Sequence, residues 1–230
     1  ASMSHELRTP LNAVIGYSQL LLDDADDDGD EALSRDVQKI HTAGAQLLGL
    51  VDDILDFSRI EAGKMPVQAQ PDSLSHGVGA LIADLQTAGL ERNYSIEVAL
   101  PKDDVELRLD WQALGKAIGH LVNGVTTEGP GGLVRMDVSH EPTGNLVIRV
   151  VDPAGQAGAT DDASLFDAFA AASDASATKY GGAGISLALS LKFAQLIGGD
   201  VTATRGADSR RVFTLTVPAD AEPDTLRAAA

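Results

Sequence analysis

Apolar residues recur at helical spacing from the start of the chain. Met3, Leu7, Leu11, Val14 and Leu21 follow one helical face. The run Asp23-Asp24-Ala25-Asp26-Asp27-Asp28-Gly29-Asp30 interrupts that pattern. Its clustered like charges and its glycine predict a solvated turn. Beyond it, Leu33, Val37, Ile40, Gly44, Leu47, Val51 and Ile54 alternate by four and three, a heptad seam held for about three heptads. A lone two-helix hairpin cannot enclose such a stripe. A second copy of the chain would, giving a dimeric four-helix bundle. The alternative is a hairpin packed on the rest of its own chain.

Gly63 closes this part, and Pro66 and Pro71 punctuate the next few residues. The expected division is therefore 1–65, a linker over 66–71, a second part over 72–218, and an Ala-rich tail over 219–230 expected to be disordered. The second part alternates in period. Leu74 to Leu85, Trp111 to Val125 and Ile185 to Ile197 predict helices. Ser95 to Leu100, Val105 to Leu109, Leu133 to Val138, Leu146 to Val151, Val201 to Thr204 and Val212 to Val217 predict strands. The fold class is thus an α-helical hairpin followed by an α/β sandwich with helices on one sheet face.

Composition narrows the chemistry. The formal net charge is −17 and only 4% of residues are aromatic. Such acidity opposes broad contact with nucleic acid or with an anionic membrane surface, and the cores must be built from aliphatic residues. Cysteine is absent, which removes disulfides, thiolate zinc sites and cysteine nucleophiles. No apolar run reaches the ~18 residues of a membrane span. The chain opens inside a helical pattern, as a fragment lacking its upstream sensor part would. The expected location is cytoplasmic, whether the full-length protein is soluble or membrane-anchored.

The segment Ser4-His5-Glu6-Leu7-Arg8-Thr9-Pro10-Leu11-Asn12 carries the strongest chemical signal. His5 and Thr9 are four apart and share a helix face. Glu6 can accept the second ring proton of His5, fixing the tautomer and making the other nitrogen nucleophilic. Thr9 could orient a water for the reverse hydrolysis. Pro10 removes a backbone donor and can bend the helix.

These residues resemble the H-box of the sensor histidine kinases, and Leu55 to Met65 resembles the second helix of the same dimerisation and phosphotransfer domain. The resemblance implies that His5 accepts a phosphoryl group from ATP and passes it to an aspartate on a response-regulator receiver domain. It continues to about Pro218 as a Bergerat-type ATP-binding domain. Aligning Ile118 to Val125 on the family's N-box helix keeps Asn123 as the magnesium ligand but puts Gly119 at the first asparagine. Losing one polarising contact in such a site costs about 2–4 kcal/mol. The next box reads Asp152-Pro153-Ala154-Gly155-Gln156. The resemblance gives Asp152 the adenine amino group, with Gly155 partly standing in for the box glycines that Ala154 and Gln156 replace. Ser164 to Phe169 resembles the F-box, and Asp174 to Tyr180, with Lys179, resembles the ATP lid. In Gly181-Gly182-Ala183-Gly184-Ile185-Ser186, the glycines Gly181, Gly182 and Gly184 would let backbone N–H groups approach phosphates at a helix start. Ser186 stands where a glycine is usual.

The activity implied is that of a protein-histidine kinase with ATP and Mg2+ as cofactors, working as a homodimer with a response regulator. The intact His5 region beside altered nucleotide boxes leaves a non-catalytic phosphotransfer or scaffold protein, or a phosphatase, as alternatives. Other residues carry plainer expectations. His76 and His140 are expected at the surface, His41 at the surface or the dimer seam, and Trp111 in the core. Asp52, Asp53 and Asp56 are expected on a solvated helix face. His120 would face the nucleotide if the N-box alignment slipped by one residue.

Overall fold

A computed structural model describes residues 2–92, 94–126, 132–153, 165–166, 183–206 and 210–221. The chain divides into two compact units, Ala1–Met65 and Pro66–Ala230.

The first unit is a helical hairpin, α1 over Ser2–Asp28 and α2 over Glu31–Glu61. The acidic run does not form the turn expected of it: α1 continues through Asp28, and only Gly29 and Asp30 connect the helices. The reason is local. Gly29 takes φ 69°, and the N–H groups of Asp30 and Gly29 donate back to the carbonyls of Ala25 (2.9 Å) and Asp26 (3.3 Å). That double bond closes a helix within one residue. Asp30 then caps α2, its Oδ1 accepting from the N–H of Ala32 and Leu33. The carboxylates of the run stay exposed on helical backbone, so nothing forces them out of it. The same closure recurs at Gly63, where Lys64 and Gly63 donate to Arg59 and Ile60.

The heptad seam splits into two stripes. Val37 and Gly44 are buried against α1, and Gly44 lets the helices approach so closely that a Cβ there would lie 3.1 Å from Ile15. Leu33, Ile40, Leu47 and Ile54, each seven residues from the next, remain between 45% and 54% exposed. One stripe closes the hairpin, and the other faces out of it.

In the second unit, β1 is Gln70–Ser73, α3 Leu74–Arg92, β2 Tyr94–Ala99, β3 Glu106–Leu109 and α4 Trp111–Thr126. Next come β4 Gly132–His140, β5 Asn145–Val151, α5 Ala183–Leu196, β6 Asp200–Arg205, β7 Arg211–Pro218 and β8 Asp220–Ala221. The main sheet has the order β2-β4-β5-β7-β6, with β2 parallel to β4 and the other pairs antiparallel. Burial alternates along β4 (Val134, Met136, Val138) and β7 (Phe213, Leu215, Val217), as expected of strands with one covered face. In α4, Leu114, Ala117, Ile118, Leu121 and Val122 are fully buried. Five consecutive residues of α5, Ser186 to Ser190, are buried, so that helix is covered around its circumference. Each fully buried aliphatic side chain of this core is worth about 1.5–3 kcal/mol in transfer free energy.

A small second sheet, β1-β3-β8, was not expected. Pro71 reads as a linker residue, yet it sits in β1 opposite Arg108. β1 is an edge strand, where a missing N–H is tolerated. β8 pairs with Leu107 and Arg108, and Ala219 is fully buried, so the chain just after Pro218 is ordered. Residues 222–230 of the expected tail lie outside the described residues.

Candidate functional site

His5 and Glu6 fall on the opening turns of α1, but their side chains lie outside the described residues. Thr9, one turn on from His5, is exposed. The residue before it is fixed to the second helix: Arg8 Nε donates to Asp52 Oδ1 at 2.7 Å. Asp52, Asp53 and Asp56 are half-buried and not the solvated face expected of them. Asp52 holds Arg8, and Asp56 lies 3.7 Å from Arg59. Further along the hairpin, the buried Ser18 donates its hydroxyl to the carbonyl of Ile15 at 2.8 Å. The same hydroxyl lies 3.1 Å from His41 Nδ1.

In the second unit the structure joins two of the predicted positions. Asn123, in the last turn of α4, donates from Nδ2 to Ser186 Oγ at 2.9 Å, and Ser186 lies in the first turn of α5. One turn deeper, Ser190 Oγ donates to the carbonyl of Ala117 at 2.8 Å. Two polar ties thus register α4 against α5. Gly184 lies in the first turn of α5, where backbone N–H groups lack intrahelical acceptors. Asp152 follows β5 directly, and its backbone N–H donates to the carbonyl of Arg211 at 3.0 Å, extending the sheet pairing by one residue. Gly155, Lys179, Gly181 and Gly182 lie outside the described residues, as do Ala154 and Gln156. In the F-box segment, Leu165 is buried and Phe166 meets Phe213 of β7 edge-on, centroids 6.3 Å apart.

A Cβ on Gly119 would point at Leu85 of α3, 3.9 Å away. The next residue, His120, turns toward α5 and stacks on Phe193, centroids 5.7 Å apart and planes within 9°. Lys116 Nζ lies 5.1 Å from the centroid of the same ring.

Two plainer expectations change as well. Trp111 is half-exposed: its Nε1–H donates to the carbonyl of Gln70 at 3.2 Å and its ring lies against Gly77. An indole N–H needs such a partner, which keeps the ring at the edge of the core. His140 is half-buried, with Nε2 enclosed and without a hydrogen-bond partner among the described residues. His76 is exposed as expected, but it pairs with Asp72 at 2.8 Å. A small pocket of about 90 Å³ is lined by Gln68, Gln70, Asp110, Trp111 and Gln112, none of them a predicted site residue. Among the described residues, no cluster of His, Asp and Glu could by itself hold a metal ion, and no helix is long and apolar enough to cross a membrane.

Comparison with known proteins gives two family matches. Residues 1–63 match the His Kinase A (phospho-acceptor) domain. Residues 105–221 match the histidine kinase-, DNA gyrase B-, and HSP90-like ATPase family. An uncharacterised sensor-like histidine kinase of Rhizobium meliloti is 30% identical over 96% of this chain and 42% of its own length. The circadian input-output histidine kinase CikA of Synechococcus elongatus is 33% identical over 95% of this chain and 29% of its own. The chain thus spans less than half the length of these relatives. Among solved structures, full-length ShkA in complex with AMPPNP superposes with a TM-score of 0.73 at 24% identity, covering all of this chain and 47% of that one. The Acinetobacter baumannii histidine kinase AdeS gives 0.59 at 16% identity over 93% and 97%. These two share the fold.

Proposed function

The chain belongs to the sensor histidine kinases, and on that premise we propose that it is the catalytic core of one. It binds ATP in the second unit, transfers the γ-phosphoryl group to His5, and passes it on to an aspartate of a response-regulator receiver domain. Residues 1–65 serve as the dimerisation and phosphotransfer domain and 72–218 as the ATP-binding domain, in the cytoplasm. The observation that carries the reading is the pairing, in one chain, of the Ser4–Asn12 motif on α1 with an ATPase-family unit whose α4 and α5 are joined at Asn123 and Ser186.

The residues present fit the nucleotide. Asn123 carries an amide oxygen, a hard donor of the kind suited to magnesium. Asp152 offers a carboxylate at the end of β5 to the adenine amino group. Gly155, Lys179, Gly181, Gly182 and Gly184 belong to the segments that meet the phosphates. ATP supplies the phosphoryl group, and magnesium neutralises its charge. A ring nitrogen of His5 forms the new bond to the γ-phosphorus as the bond to the bridging oxygen breaks. Glu6 holds the other ring nitrogen's proton, and Thr9 lies one turn away to direct water in the reverse step. The homodimer forms through the outward stripe Leu33, Ile40, Leu47 and Ile54, which the hairpin leaves about half exposed.

The test is incubation of the purified chain with γ-labelled ATP and magnesium beside His5→Ala. Acid-labile label on the parent and none on the variant is the expected outcome. A folded dimer that takes up no label would overturn the kinase reading.

A further inference from the structure

The stretch that joins the two units is shorter than its sequence suggests. The last hydrogen bond on the hairpin side runs from the Lys64 N–H to the carbonyl of Arg59 at 2.9 Å. The first on the side of the second unit comes at Gln68, whose N–H donates to Asp110 Oδ2 at 2.7 Å. Met65, Pro66 and Val67 make no hydrogen bond among the described residues. Beyond Gln68, the carbonyl of Gln70 accepts from Trp111 Nε1 and β1 begins. Asp110 is 7% exposed, and its other oxygen accepts the Ala113 N–H at the start of α4, so the helix it caps holds the carboxylate in place. Beside the bond to Gln68 lies the pocket of about 90 Å³, lined by Gln68, Gln70, Asp110, Trp111 and Gln112. A polar cavity of that size has room for water, which can replace the Gln68 N–H on Oδ2. The bond can therefore open without leaving a buried carboxylate oxygen bare.

We infer that Asp110 is a latch on the stretch joining the two units: while it holds the Gln68 N–H, the joint is Met65, Pro66 and Val67 alone, and when it lets go the joint runs on to Ala69. Three residues span at most about 10 Å, and five about 17 Å. Pro66 fixes its own φ and confines Met65 to extended backbone, so the latched joint is stiff as well as short. Tether length sets the effective concentration of the ATP-binding unit at His5. The latch thus acts on phosphoryl transfer and leaves the nucleotide site itself alone. That consequence rests on the kinase reading above, whereas the latch does not.

The experiment compares the whole chain with Gln68→Pro, which lacks the N–H, and with Gln68→Ala, which keeps it. Amide hydrogen exchange and backbone order parameters are read by NMR. In the parent, the Gln68 amide is expected to exchange at least about tenfold more slowly than that of Val67, after correction for intrinsic rates. Ala69 is expected to be as rigid as β1 in the parent and in Gln68→Ala, and to fall below an order parameter of about 0.6 in Gln68→Pro. Val67→Pro stiffens the same stretch but keeps the Gln68 N–H, and is expected to leave Ala69 rigid. An unprotected Gln68 amide in the parent, or a rigid Ala69 in Gln68→Pro, would overturn the latch. So would a mobile Ala69 in Val67→Pro, which would trace the effect to proline itself. Single-turnover labelling of His5 at saturating ATP and magnesium reads the consequence. Gln68→Pro is expected to slow it about twofold, as the roughly −3/2 power of tether length requires, with ADP affinity unchanged. Two glycines inserted between Pro66 and Val67 are expected to slow it likewise while the Gln68 amide stays protected. Should Gln68→Pro fail to fold, the parent exchange rates and this insertion decide in its place. Labelling unchanged by the longer joint would overturn its role in phosphoryl transfer. A parent that takes up no label would overturn the kinase reading, and the exchange measurement would still decide the latch.

Discussion

Asp110 shows how much one side chain can organise. Its Oδ1 caps α4 by accepting the Ala113 N–H at 2.9 Å, and its Oδ2 accepts the Gln68 N–H at 2.7 Å. It is 7% exposed, and both bonds are charge-assisted. Asp110→Ala is expected to destabilise the second unit by about 1–3 kcal/mol, read as a shift in the urea midpoint. Asp110→Asn, which still accepts at the cap, is expected to lose less. None of this is legible in the sequence, because Gln68 lies 42 residues from Asp110 and reads as linker. The Asn123–Ser186 contact escapes for the same reason. Resemblance singles out each residue, but only folding shows that one answers the other.

At the scale of elements, the long periodic segments are legible and the short ones are not. The helices α2, α4 and α5 announce themselves through apolar spacing sustained over several turns. β1 and β8 have four and two residues, too few for alternation to register. The α1–α2 connection misleads because composition favours a loop wherever acids cluster, whereas backbone closure at a single glycine decides the helix end. Gly29→Ala forces a side chain into φ 69° and is expected to destabilise the hairpin by about 1 kcal/mol, measured by thermal melting followed by circular dichroism. Gly16→Ala, at an open helical position, is expected to be neutral or stabilising.

Over the whole molecule, the division into two units sets what each experiment can see. Charging the outward stripe with Ile40→Glu and Leu47→Glu is expected to give a monomer in sedimentation equilibrium, because both residues are about half exposed in the hairpin itself. Helicity of the hairpin should survive, since Val37, Gly44 and Leu22 close it from within. A sedimenting dimer in that variant would remove the stripe from the interface. The half-exposed indole has a separate use. Trp111 is the sole tryptophan of the chain and belongs to the second unit, against Gly77 and Gln70. The protein therefore carries one tryptophan fluorophore at a defined place. Tryptophan emission, excited at wavelengths that tyrosine does not absorb, reports the unfolding of the second unit, while far-ultraviolet ellipticity is weighted by the 27 and 31 residues of the hairpin helices. Two denaturation curves that separate under the same conditions would resolve the stability of each unit in the intact chain, without cutting it and without attaching a dye.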